Sequence, residues 1–219
     1  MRDEPILQAT PGPRLWSLSS ACARRRRALW SLACDILRGR GEGRPLTATA
    51  WLSLVLLFTL LADRPAPVIV ASVALYAGLC VVALFDARYY VIPDGPLGFL
   101  LVSGLATWFA IAPAEIGQRL AAAAVGFAAL RFVAYAYEAV RGAPGVGEGD
   151  ARLFAVAGLW LGFAGLPSCL IYAVLSGLVA AAVGLRQGLL ENARAPLPFG
   201  PHLAFGVWLC WTIGPIEFG

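Results

Sequence analysis

The sequence predicts an all-α fold, a polytopic transmembrane helix bundle of about seven helices. Two observations carry that reading. Of 219 residues, 59% are hydrophobic and 14% charged, where soluble domains hold roughly 45–50% and about 25%, and the mean hydropathy is +0.74. The apolar residues also fall into consecutive blocks divided by Pro, Gly and charge. Such a chain is excluded from the water-soluble globules and belongs in a lipid bilayer.

Residues 1–45 form an Arg-rich tail and linker, and residues 46–219 the transmembrane domain. No apolar run follows the first charges, so the tail is not a secretory signal. Within it, Ala28–Leu37 reads either as a short amphipathic helix on anionic lipid or as a tail without fixed structure. Gly39-Arg40-Gly41-Glu42-Gly43-Arg44-Pro45 is a linker. The first apolar block covers Leu46 to Ala62, short but adequate where roughly 17–25 residues span a bilayer. The second runs from Pro67 to Phe85, the third from Pro96 to Ala112, and the fourth from Ile116 to Val140. The fifth and sixth, Ala151 to Gly165 and Leu166 to Leu185, are divided at Gly165-Leu166-Pro167. The last covers Pro201 to Ile213.

Charge sets the orientation. All 17 basic residues are Arg, and nine precede Pro45, including the run Arg24-Arg25-Arg26-Arg27. A basic tail joined to a membrane domain marks the cytoplasmic side rather than a nucleic-acid partner. Arg88, Arg141, Arg152, Arg186 and Arg194 then also fall on the cytoplasmic side, with only Arg64 and Arg119 opposite. Three loops, residues 86–95, 141–150 and 186–200, share the cytoplasmic face. The cysteines Cys22, Cys34, Cys80, Cys169 and Cys210 include no C-x-x-C pair, so neither a zinc site nor a redox motif is written here.

The three loops carry the unusual residues. Asp86 ends an apolar helix; Asp150 opens another after Gly147-Glu148-Gly149; Gly200 and Pro201 open the last. A carboxylate at bilayer depth costs on the order of 2.5–3.5 kcal/mol, so each acid needs a reason. One is structural: pairing with Arg88, Arg131 or Arg152, or capping of the fifth helix by Asp150. The other is a dyad. Two carboxyl groups about 3 Å apart cannot both ionise, and a shared proton suits general acid–base hydrolysis of a peptide without a covalent intermediate. Glycines beside the acid let an extended backbone approach. A phosphate loop would need a strand–helix context or a following Lys, and the chain has neither. His202 lacks companions for a metal site and reads as structural.

Together, Asp86 with Ile92-Pro93-Asp94, then Gly147-Glu148-Gly149-Asp150 followed by Ala151-Arg152-Leu153, then Pro198-Phe199-Gly200-Pro201, resemble the type IV prepilin peptidase family. These are membrane-embedded Gly-x-Gly-Asp aspartic proteases, and the resemblance covers about residues 46–214. It implies Asp86 and Asp150 as the catalytic pair, with Asp94, Pro93, Gly147, Gly149, Gly200 and Pro201 shaping the site or meeting substrate. No cofactor and no metal is implied. The implied partners are a prepilin or a type II secretion pseudopilin, whose short basic leader is removed, and the lipid bilayer. The implied location is the bacterial inner membrane with the site facing the cytoplasm. Glu138, Glu148 and Glu191 are acids that a basic leader would meet. The resemblance does not extend to the N-methyltransferase activity of longer members, because their two C-x-x-C pairs have no counterpart here. The presenilin-like proteases share Gly-x-Gly-Asp but carry Pro-Ala-Leu where this chain has Pro198-Phe199-Gly200-Pro201. A non-catalytic membrane component or transporter would instead hold Asp86 and Asp150 apart, each on a different Arg.

Overall fold

A computed structural model describes residues 64–142, 145, 147–186 and 197–217. Every regular element among them is helical: α1 Ala66–Tyr89, α2 Asp94–Ile111, a 3-10 turn Pro113–Glu115, α3 Ile116–Arg141, α4 Glu148–Arg186 and α5 Gly200–Ile213. Four of these stretches, α1, α2, α3 with its leading turn, and α4, are long and apolar enough to cross a membrane. The protein is an integral membrane protein. The predicted second, third, fourth and last helices match α1, α2, α3 and α5. The predicted first helix, Leu46–Ala62, lies outside the described residues, as do the tail 1–45 and Glu191.

Local chemistry sets the helix ends. Pro65 and a first-turn proline start α1, and Tyr90 closes it in the left-handed region at φ 53°. Ile92 precedes a proline, which disfavours helical backbone there. Pro93 is extended and α2 starts at the next residue. Gly142 ends α3 at φ 69°, a conformation that costs glycine little.

The fifth and sixth predicted helices are the two limbs of α4, but their boundary is not at Gly165-Leu166-Pro167. It is at Gly162, with φ 72° and ψ −174°, a region essentially restricted to glycine. Proline only removes one hydrogen bond and disturbs the turn before it, so Pro167 sits inside the second limb. Packing shows that the chain reverses here. The first limb runs beside α3, with an added Cβ at Gly158 lying 2.5 Å from the Ala122 carbonyl oxygen and one at Gly126 lying 3.0 Å from that of Phe154. The second limb runs antiparallel to α5: Cys210 meets Gly165, Gly206 meets Cys169 and His202 meets Ser176. Small residues at these crossings let the backbones approach, as is common between membrane helices.

The reversal is anchored from outside the helix. A break leaves carbonyls without helical donors, and Arg119 Nη1 of α3 donates to the Trp160 carbonyl oxygen at 2.9 Å. The same guanidinium pairs with Glu115 at 2.7 Å and lies 3.0 Å from the centroid of the Trp108 ring. Trp160 is fully buried and donates to the Leu100 carbonyl oxygen at 2.9 Å. Its ring meets that of Trp211 edge-on at 5.3 Å, and Trp211 Nε1 donates to Ser72 Oγ at 2.8 Å. This cluster joins α1, α2, α4 and α5 at the end away from Asp86.

The reversal makes a stability prediction. Gly162→Ala loses about 1–3 kcal/mol to backbone strain. Gly117→Ala, where an added Cβ meets nothing within 4 Å, is neutral or gains up to about 1 kcal/mol. Thermal unfolding in one detergent compares them, and equal stability of the two variants would contradict a turn that depends on glycine at 162.

Candidate active site

At the opposite end, α1 terminates and α2, α4 and α5 begin, and the three sequence motifs meet there. Asp86 lies in the last turn of α1 and is 7% exposed. Its Oδ2 accepts a hydrogen bond from the Gly200 backbone N–H at 2.8 Å. Gly200 opens α5, so that N–H is one of the donors a helix start leaves without an internal partner. A carboxylate is favoured there by the helix dipole. An added Cβ at position 200 would lie 2.6 Å from Asp86 Oδ2, so the approach requires glycine. Pro201 follows in the first turn, where a missing N–H costs nothing.

Asp150 is the third residue of α4 and is partly buried. Its carboxylate stands beside Gly147 and within electrostatic reach of Asp86. The Asp150 N–H donates to the Gly147 carbonyl oxygen at 3.2 Å. Asp150 lies inside α4 and is not the residue that caps it. An added Cβ at Gly147 would stand 3.1 Å from Asp150 Oδ2.

Gly149 joins the second motif to the first. An added Cβ there would lie 3.0 Å from Ile92 Cβ, and Ile92 is buried. Pro93 directs the chain from Ile92 into α2. Asp94 turns outward, and its Oδ1 accepts from Arg152 Nη1 at 2.8 Å. Arg152 also pairs with Glu148. Ile92 and Arg152 stand in the quoted motifs, but sequence reasoning gave them neither of these contacts. Arg152 carried a signal, since it follows Glu148 at the i, i+4 spacing of helical ion pairs.

The remaining candidates lie outside this group. His202 Nδ1 is 3.1 Å from Ser176 Oγ, and among the described residues no three His, Cys, Asp or Glu side chains gather as a metal site would require. Among the described residues the ion pairs are Arg119–Glu115, Arg152–Asp94 and Arg152–Glu148. Neither Asp86 nor Asp150 is in them, so the separate arginine partners expected of a non-catalytic component are not found.

The two carboxyl groups are within electrostatic reach of each other, and Asp86 is held by one backbone amide at a helix start. Comparison with known proteins gives the family. The type IV leader peptidase family matches residues 73–182, a stretch that takes in Asp86, Asp94 and Gly147–Arg152 and stops before Gly200. The chain is 36% identical over 147 residues to a Pseudomonas aeruginosa protein named prepilin leader peptidase/N-methyltransferase, covering 66% of this chain and 49% of that one. It is 32% identical over 190 residues to one of the same name from Aeromonas hydrophila, covering 81% and 63%. With the Pectobacterium carotovorum protein of that name it shares 30% over 179 residues, covering 78% and 63%. The chain thus spans from 49% to 63% of these relatives' length. No solved structure matches. A family match over half the chain, centred on the Asp86 and Asp150 segments, shows that the chain belongs to the type IV leader peptidase family.

Proposed function

We propose that the protein is an intramembrane aspartic endopeptidase that removes the short basic leader from type IV prepilins or type II secretion pseudopilins. The observation that carries this reading is that Asp86 and Asp150 lie within electrostatic reach of each other at one end of the bundle, with no arginine partner for either among the described residues. On this reading the chain is a bundle of about seven helices that lies in the bacterial inner membrane and turns its site to the cytoplasm, where a basic leader resides. The relatives' second named activity, N-methyl transfer, is not carried over.

The chemistry is hydrolysis. With one proton shared between the two carboxyl groups, the ionised member takes a proton from water as the oxygen attacks the scissile carbonyl carbon. The protonated member gives its proton to the carbonyl oxygen. The tetrahedral diol then collapses: one hydroxyl returns its proton to the carboxylate that gave it, the C–N bond breaks, and the proton taken from water passes to the leaving amine. One water is consumed, a carboxylic acid and an amine result, and the dyad again holds one proton. The Gly200 amide holds Asp86 in place, which matters because misaligned acid–base groups forfeit most of their effect.

Two tests follow. Asp86→Asn and Asp150→Asn each reduce cleavage of a prepilin-like substrate in detergent by about 10²–10⁴-fold, with the unfolding temperature retained. Cleavage near the wild-type rate by either variant would remove that residue from the reaction. Gly200→Ala pushes a methyl group against Asp86 Oδ2 and lowers kcat by at least about tenfold, since small displacements of reacting groups are costly. An unchanged kcat in this variant would show that the Gly200–Asp86 approach does not matter for turnover.

A further inference from the structure

At the rim of the site one guanidinium joins the two chain segments that carry the first and second motifs. Arg152 Nη1 donates to Asp94 Oδ1 at 2.8 Å and Nη2 donates to Glu148 Oε1. Asp94 is the first residue of α2 and Glu148 the first of α4. Acids at both positions suit the helix dipoles, and the forked side chain of Arg serves two carboxylates at once as an ammonium does not. The Arg152 and Asp94 side chains are 44% and 78% exposed, and such pairs contribute about 0–1 kcal/mol to folding. Stability alone is a weak reason for the arrangement.

The neighbours supply a stronger one. Ile92, two residues before Asp94, is the side chain against which Gly149 packs. Gly149 is bonded directly to Asp150. The segment between Asp86 and Asp94 is thereby clamped to the start of α4 at two points, one apolar and one ionic, on either side of Pro93.

We propose that Arg152 is a positioning residue: by holding Asp94 it keeps Ile92 on Gly149 and so fixes Asp150 relative to Asp86. The proposal rests on the reading of Asp86 and Asp150 as the acid–base pair. Arg152 touches neither substrate nor the reacting carboxylates, and it acts through the backbone of the two motif segments.

The test combines kinetics with a readout that needs no activity. Arg152→Gln and Asp94→Asn each lower kcat for prepilin-like substrate by about fivefold, the largest effect an exposed pair of this kind supports, with KM and unfolding temperature unmoved. The double variant is no worse than either single one, because both remove the same contact. Arg152→Lys retains most of the rate. In a chain whose five cysteines are replaced by serine, Ile92→Cys reacts with a maleimide severalfold faster when Arg152→Gln is added. Additive losses, or losses that track the unfolding temperature, would overturn the proposal. So would a fall in KM for basic leaders on removing Arg152, since Arg152 would then be a competitor of the leader. If the wild type cleaves no prepilin, the proposed function fails, and the labelling decides alone: an unchanged Ile92→Cys rate sinks the positioning role.

Discussion

The hydrogen bond from the Gly200 N–H to the Asp86 carboxylate is the contact on which the site depends. It joins the end of α1 to the start of α5 and gives a buried carboxylate a partner that is not a counter-ion. An arginine in that place would neutralise the acid, whereas a helix-start amide stabilises it and leaves its remaining lone pairs free. The absence of a side chain at position 200 makes the bond possible. Asp150 stands beside a glycine as well, with an added Cβ at Gly147 lying 3.1 Å from its Oδ2.

The opposite end of the bundle makes this arrangement rigid. Reversal at Gly162 limits the first limb of α4 to residues 148–161, on the order of 21 Å at 1.5 Å per residue. Arg119 and the Trp108, Trp160 and Trp211 rings lock the top of that limb to α2, α3 and α5. With Gly126 set against Phe154, Leu130 is about level with Asp150. Residues 131–141 of α3 therefore run on past the acids by on the order of 16 Å. Phe132, Tyr135 and Val140 on that extension are exposed. The carboxyl groups consequently sit below the end of α3 rather than at the tip of the bundle.

Much of this was legible in the sequence, for identifiable reasons. Apolar blocks and prolines locate α1, α2, α3 and α5, because helix starts at Pro65, Pro93 and Pro201 are written in local chemistry. The break in α4 was misplaced because Gly162 and Pro167 are both breakers, and only backbone angles tell which one reverses the chain. Spacing alone left Asp86 and Asp150 as ordinary helix-end acids. The motif resemblance singled them out. The contacts of Gly200 with Asp86, Gly149 with Ile92, and Arg152 with Asp94 join residues distant in sequence, and no local pattern announces them. The Arg119 and tryptophan cluster was unread for the same reason.

The central claim is that the first and third motifs meet at Asp86 and Gly200, and an engineered disulfide tests it most directly. An added Cβ at position 200 would lie 2.9 Å from Asp86 Cβ, so a backbone shift of about 1 Å brings the pair to the roughly 3.5–4.5 Å that a disulfide spans between Cβ atoms. Asp86→Cys and Gly200→Cys are combined in a cysteine-free chain with a protease site inserted within residues 187–196. Mild oxidation in native membranes, followed by nicking at that site, should leave the two fragments joined until a reductant is added. Fragments that separate without reductant, although both thiols react with maleimide in the intact chain, would contradict the account.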